Sequence, residues 1–259
     1  MKVSIITICY NNEKDIRTTI ESVINQDYDD IEYIVKDGGS KDNTLAIVNE
    51  YKDKISKIIS CPDKGIYDAI NQGLQAVTGD IVGMIHSGDR LYNNEVVTKI
   101  VNFYEENTPD VTYANSIIVD EKNEIKRINN SPEFDKQLVL DGWMPSHQSI
   151  YLKRELLEKF GYYRLDIGSA ADYEWFVRYF YRFADELNIR RINETLITFT
   201  LGGVSSSSKL KKVFSSKHKQ MLRKCWEVNG LEAPRFVIFK KWIRLMKMYF
   251  RAFVHNTKK

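Results

Sequence analysis

Gly79-Asp80-Ile81-Val82-Gly83-Met84-Ile85-His86-Ser87-Gly88-Asp89 begins as an apolar run of strand length and ends in a polar turn with one carboxylate. A run rich in Ile and Val, punctuated by Gly, is the pattern of a strand buried on both faces of a sheet. In open α/β sheets the loops at the carboxyl ends of such strands form the crevice where ligands bind. Ser87-Gly88-Asp89 are also ordinary turn residues, so the triplet taken alone reads as a turn before it reads as a site. The residues upstream reverse that order.

Working back from Gly79, strands and helices alternate. Val3 to Ile8 and Ile31 to Val35 are apolar and β-branched, and Ile55 to Ser60 reads as a third strand. Between them, Asn11 or Asn12 is placed to cap a helix carrying Ile16, Ile20, Val23 and Ile24, and Asp42 or Asn43 one carrying Leu45, Ile47, Val48 and Tyr51. Ile66 to Val77 turns Ile66, Ala69, Ile70 and Leu74 inward. This βαβαβαβ rhythm with short loops predicts a largely parallel sheet with right-handed crossovers. Downstream, Asp110 to Val119 and Glu124 to Ile128 read as a strand pair, Gln148 to Leu152 as a short strand and Arg154 to Phe160 as a helix. Asp172 to Phe183 reads as an aromatic helix and Glu194 to Thr200 as a last strand. A Ser-rich break at Ser205 to Ser208 divides a body, 1–208, from a helical extension, 209–259.

The charge follows the same division. The net charge is only +3, yet 15 of the 38 Lys and Arg lie from Lys209 onward, against Glu227 and Glu232. The remaining 23 basic residues face 33 acidic ones, which predicts an acidic body and a basic tail that meets something anionic. Cys9, Cys61 and Cys225 are far apart, which argues against a zinc site or a disulfide framework and fits a reducing cytoplasm. Met1 to Ile5 enters a strand directly, so no basic-then-apolar leader is expected. No apolar run reaches the length of a membrane span.

In a parallel sheet four polar loops must open on one edge: Thr7 to Asn11, Asp37 to Asp42, Cys61 to Gly65 and His86 to Asp89. A nucleotide can lie across that edge, its base near the first two loops and its phosphates near the last. No GxGxxG follows the first strand and no GxxxxGK[ST] occurs, which excludes dinucleotide and P-loop chemistry.

Ser4-Ile5-Ile6-Thr7, Asp37-Gly38-Gly39-Ser40-Lys41-Asp42-Asn43-Thr44, Asp63-Lys64-Gly65-Ile66-Tyr67-Asp68-Ala69-Ile70-Asn71-Gln72-Gly73 and Thr78-Gly79-Asp80 occur in this order. Together they resemble bacterial family 2 glycosyltransferases of the GT-A fold, over roughly Met1 to Gly203. The resemblance implies a Rossmann-like α/β domain with a mostly parallel central sheet. It implies that Thr7 and Tyr10 line the base pocket of a nucleotide-sugar donor, usually a UDP-sugar. Asp37 would accept from the base, Lys64 would face ribose or phosphate, and Ser87 would join the donor side. Asp89 matches the last acid of the family's Asp-x-Asp signature and would hold Mn²⁺ or Mg²⁺ on the diphosphate, since hard cations take oxygen ligands.

Where related sequences often read Asn-Ser-Asp-Asp, this chain has His86-Ser87-Gly88-Asp89, with Gly88 at the first acid. His86 then reads as a hydrogen-bonded neighbour of the site ahead of a metal ligand. Pro145-Ser146-His147-Gln148-Ser149 resembles the family's His-Gln element, which places His147 and Gln148 on the acceptor floor. Ala170-Ala171-Asp172-Tyr173-Glu174-Trp175 resembles the helix start that carries the general base. Asp172 is the expected base ahead of Glu174, which two residues on faces elsewhere on the helix. A plain helix N-cap is the structural alternative for Asp172. Gly202-Gly203-Val204-Ser205 suits either a loop near the diphosphate or a surface turn, and Trp143, Tyr173 and Trp175 suit sugar stacking or the core.

In the extension, Lys240, Arg244, Lys247 and Arg251 recur at helical spacing, with Phe239, Trp242, Ile243, Met246, Tyr249, Phe250 and Phe253 on another face. That pattern predicts an anionic membrane surface as partner, with packing on the body or in a homodimer as the alternative, and no nucleic acid. The expectation is an inverting enzyme that extends a lipid-linked glycan for a surface polysaccharide, peripheral on the cytoplasmic face of the membrane. A sugar-phosphate nucleotidyltransferase would need a Gly-rich, basic phosphate loop after strand one, which Cys9-Tyr10-Asn11-Asn12 does not offer. Gly88 keeps a nucleotide-sugar-binding protein without turnover as the other alternative.

Overall fold

The computed structural model describes residues 1–201, 216–234, 236, 239 and 240. Among them the strands are β1 (Val3–Cys9), β2 (Ile31–Asp37), β3 (Lys57–Ser60), β4 (Ile81–Met84), β5 (Arg90–Leu91), β6 (Val111–Val119), β7 (Ile125–Asn129), β8 (Tyr151–Lys153) and β9 (Ile189–Thr200). The helices are α1 (Ile16–Ile24), α2 (Thr44–Glu50), α3 (Ile66–Leu74), α4 (Val96–Asn107), α5 (Lys136–Leu140), α6 (Glu155–Phe160), α7 (Ala171–Val177) and α8 (Ser216–Glu227). The strands form one sheet in the order β3-β2-β1-β4-β8-β6-β9-β5, with β7 paired to β6.

β1 runs parallel to β2 and β4, and β2 parallel to β3. Four carboxyl ends therefore share one edge, as the βαβ rhythm requires. β8 reverses direction between β4 and β6, and β6 and β9 run parallel beyond it. Alternation along β1 sends Val3 and Ile5 to one face, where α1 places Ile16, Ile20 and Val23 and α4 places Val96, Val97 and Ile100. Ile6 and Ile8 go to the other, against α3, α6, α7 and α8. Burial on both faces is why β1 reads as a continuous apolar run.

Several boundaries differ from expectation, each for a local reason. Asn11 and Asn12 do not cap α1, which starts after Asp15 without a side-chain cap. They join loops instead: Asn11 Oδ1 accepts from the Lys41 N–H at 2.8 Å and Asn12 Nδ2 donates to Ser87 Oγ at 2.9 Å. Asp42 does hold the start of α2, accepting from the Thr44 N–H at 3.0 Å. His147 to Ser149 form a 3₁₀ turn, so β8 begins only at Tyr151. The aromatic helix passes from α7 into a π turn at Arg178–Arg182.

The proposed break at Ser205 to Ser208, and the boundary drawn there, lie outside the described residues. α8, placed in the basic extension from its sequence, packs on the body: Leu222, Cys225 and Trp226 are buried, and Trp226 Nε1 donates to the Tyr173 hydroxyl at 3.1 Å. Asn229 Nδ2, just beyond, donates to Glu174 Oε1 at 3.0 Å. Of the expected cationic face only Lys240 is described, and it is ion-paired with Asp141; Arg244, Lys247 and Arg251 lie outside the described residues. No helix among the described residues is long and apolar enough to cross a membrane.

Candidate active site

The four polar loops meet at the carboxyl edge of β1 to β4. Gly38 marks the closest approach: a Cβ there would come 2.7 Å from Asp63 Oδ2 and 3.2 Å from the Tyr10 ring. Only a residue without a side chain lets the loops after β1, β2 and β3 close on one another there. Asp37 organises the second loop from within. It is fully buried, and its carboxylate accepts from the N–H groups of Gly39 and Ser40 and from the hydroxyls of Ser40 and Ser60. Lys36, also fully buried, donates to the carbonyls of Asp37 at 2.6 Å and Cys61 at 2.7 Å and lies 3.4 Å from Asp63 Oδ2. It ties the second loop to the third.

Tyr10 stands at the rim, largely exposed, and the Lys64 side chain is exposed at the same edge. Thr7 does not reach the crevice. Its side chain is fully buried in the sheet, where its Oγ1 accepts from the Tyr33 hydroxyl at 2.9 Å.

At the end of β4 the polar turn is held from three sides. Gly88 adopts φ +100°, a conformation that favours glycine, which gives this position a backbone reason to lack an acid. Thr19 of α1 accepts from the Gly88 N–H at 3.0 Å and donates to the Asp89 carbonyl at 2.7 Å. The Asp89 carboxylate accepts from Gln148 Nε2 at 2.7 Å and from the Thr200 N–H at 3.1 Å. Both donors are neutral, and Asp89 makes no ion pair among the described residues. Burial therefore prevails over these hydrogen bonds and raises its carboxyl to about 6.

Gln148 is buried, and its Oε1 accepts from the His86 N–H at 2.7 Å. His86 Nε2 lies 2.9 Å from His147 Nε2, so one ring donates and the other accepts. Burial holds both imidazoles below the usual histidine range, in the neutral forms this contact needs. His86 Nδ1 is buried without a partner.

Asp172 is the next acid, and the His147 ring feels its negative charge. It lies in the first turn of α7, half-buried, and Oδ1 accepts from the Tyr173 N–H at 2.8 Å. The cap itself is Ala170, so Asp172 is not the N-cap. The Tyr67 hydroxyl of α3 lies at the same carboxylate; burial and then the charge of Asp172 raise it above the usual phenol range. Glu174 points away, fully buried, and grips Arg178 with both oxygens at 3.0 and 2.9 Å. The two acids of one helix turn thus have opposite environments: Glu174 is ion-paired inside the core, and Asp172 is half-exposed beside Tyr67 without an ion pair among the described residues.

Residues 4–165 match the family model for Glycosyl transferase family 2. The chain belongs to glycosyl transferase family 2. Among curated proteins, an uncharacterised glycosyltransferase of Mycobacterium tuberculosis is 34% identical over 178 residues, 68% of each chain. A PGL/p-HBAD biosynthesis glycosyltransferase of Mycobacterium bovis is 28% identical over 180 residues, 68% of this chain and 69% of that one. Among solved structures, S. aureus TarS 1-349 in complex with UDP-GlcNAc superposes with a TM-score of 0.70 at 22% identity, covering 93% of this chain and 69% of that one. A mannosyltransferase from Pyrobaculum calidifontis in complex with GDP-Man and Mn²⁺ gives 0.60 at 18% identity, covering 93% and 68%. The sheet with its flanking helices is the GT-A fold.

As a family 2 glycosyltransferase the chain has two half-exposed acids near the His86–His147 contact, Asp89 held by Gln148 and Asp172 beside Tyr67. Among the described residues no group of three or more His, Cys, Asp or Glu side chains could hold a metal. A divalent cation at Asp89 would take diphosphate oxygens and water as further ligands. Asp89 fits that task, being a half-buried carboxylate without an ion pair among the described residues, each of its oxygens taken by a single neutral donor. Sequence reasoning missed Lys36 and Tyr67. A Lys at the end of a strand reads as a solvated charge, and Tyr67 lies outside the face of Ile66, Ala69, Ile70 and Leu74 expected to turn inward.

Proposed function

We propose that this glycosyltransferase moves a hexose from a UDP-sugar to a hydroxyl of a lipid-linked glycan, with inversion at the anomeric carbon. The observation that carries the reading is that one 3₁₀ turn reaches both acids, Gln148 donating to the Asp89 carboxylate and His147 feeling the charge of Asp172. The acceptor oxygen bonds to the anomeric carbon as Asp172 takes its proton, and the bond to the UDP oxygen on the opposite face breaks with its electron pair leaving on the diphosphate. Asp89 would hold Mn²⁺ or Mg²⁺, which when bound neutralises charge on the departing diphosphate. Tyr10 and the Gly38 to Ser40 turn shaped by Asp37 would receive the base, Lys64 and Ser87 the ribose and phosphates, and His147 the acceptor. That TarS was crystallised with UDP-GlcNAc and the archaeal enzyme with GDP-Man and Mn²⁺ supports a nucleotide-sugar donor.

The test is calorimetric titration of UDP with Mn²⁺ into wild type and Asp89→Asn. The variant should bind at least about tenfold more weakly, because a metal-bound carboxylate is lost. Wild-type affinity should be full above pH 6 and fall as pH drops below it, since the cation needs the ionised acid. The sign for the ligand-free protein is opposite. A carboxyl raised to about 6 contributes stability that is present below its ordinary 3.8 and lost as pH rises through 6. Cation-induced stabilisation should therefore grow across that window. Equal affinity in Asp89→Asn, or none of this pH dependence, contradicts the donor-side assignment.

The place of action is the cytoplasmic face of the membrane, supported by the cation and aromatic spacing after Arg235. Each Lys or Arg near an anionic surface contributes about 1 kcal/mol. Full-length protein should sediment with anionic vesicles and not with neutral ones, and truncation before Arg235 should abolish sedimentation while UDP binding persists. Sedimentation of the truncated protein would remove the tail as anchor.

A further inference from the structure

We infer that Gln148 is a positioning residue for the donor side, which fixes the Asp89 carboxylate for the cation and diphosphate, and is not an acceptor contact. This rests on the reading of Asp89 given above. The His-Gln element places Gln148 on the acceptor floor by resemblance, but its side chain is 2% exposed and both ends of its amide are engaged. The orientation of that amide is set by chemistry. Its oxygen lies 2.7 Å from a backbone N–H, His86, and its nitrogen 2.7 Å from a carboxylate, Asp89. A flipped amide would set donor against donor and acceptor against acceptor.

With Thr200 donating to the other oxygen, the carboxylate plane is defined by two neutral donors that leave lone pairs free on both atoms. A cationic partner would have occupied those lone pairs and competed with the metal. Partners of this kind orient a ligand before the ion arrives. The residue before Gln148 on the same 3₁₀ turn is His147, which meets His86 and feels Asp172. One turn therefore serves the donor acid through Gln148 and the acceptor side through His147.

The experiment compares full-length wild type, Gln148→Met, Gln148→Asn and Asp89→Asn by calorimetry with Mn²⁺ and UDP together, with UDP in chelator, and by the KM for acceptor. Gln148→Met removes the donor, and Gln148→Asn keeps an amide one methylene short of Asp89, so at least one gentle change is available if the other misfolds. Both should weaken Mn²⁺-dependent UDP binding about tenfold or more, leaving metal-free UDP affinity and acceptor KM near wild type. A purely structural role would weaken UDP binding with and without Mn²⁺ and raise the acceptor KM together, and so overturn the inference. A raised acceptor KM with unchanged Mn²⁺-dependent binding would return Gln148 to the acceptor side. If Asp89→Asn loses Mn²⁺-dependent binding and the Gln148 variants keep it, the inference on Gln148 alone fails. If Asp89→Asn binds as wild type, the reading of Asp89 fails and the inference falls with it.

Discussion

Asp172→Asn should lower turnover by about 10²–10⁴-fold while UDP affinity stays at the wild-type value. The amide keeps the shape of the side chain, and its oxygen can still accept from the Tyr173 N–H at 2.8 Å, so the start of α7 should hold. What it cannot do is take the acceptor proton. On the proposed role, in which Asp172 takes the acceptor proton, the loss should fall on kcat and kcat/KM together, as for an interaction made only in the transition state. Steady-state rates of UDP release, with UDP binding measured beside them, check this. Near-normal turnover would move the base elsewhere, and Glu174 is poorly placed to replace it.

Glu174→Ala should instead cost about 3–5 kcal/mol of stability, a Tm lower by roughly 6–20 °C. Glu174 and Arg178 form a buried bidentate pair, and the guanidinium is fixed further by the carbonyls of Phe160 and Tyr162. Removing the acid leaves a buried cation unbalanced and also takes a partner from Asn229 beyond α8. Thermal melts of the two variants should separate cleanly: Asp172→Asn melts as wild type and is inactive, whereas Glu174→Ala melts early. A Glu174→Ala protein of native stability would show that this pair does not hold α7 and α8 to the body.

The first half of the fold is legible because period-2 and period-3.6 patterns there coincide with burial on both faces of β1 to β4. α4 is missing from that reading, although Val96, Val97, Ile100, Val101 and Tyr104 all turn inward; it adjoins the stretch that drew attention to the polar turn. The antiparallel insertion of β8 is hidden because only Tyr151–Lys153 pair as strand, and the residues before them are bent into a turn by side-chain hydrogen bonds. Motif order singled out Asp89 and Asp172, which fall just before β5 and in the first turn of α7. It did not recover how they are held. Lys36, Tyr67 and the double hydrogen bond of Gln148 depend on contacts across 25 or more positions of the chain, which no local pattern reports. Gly88 is the instructive departure: the resemblance marks it as a missing acid, and its φ of +100° shows a turn that prefers glycine.

The most direct test of the account is product formation from a panel of UDP-sugars with Mn²⁺ and a lipid-linked glycan acceptor, assayed for both UDP and pyrophosphate. UDP should be released with at least one sugar, only when acceptor is present, and the release should be lost in Asp172→Asn. Pyrophosphate release from UTP and a sugar phosphate would mark a nucleotidyltransferase, and tight UDP-sugar binding with no release under any acceptor would mark a protein that binds donor without turning it over. Either result would contradict the account.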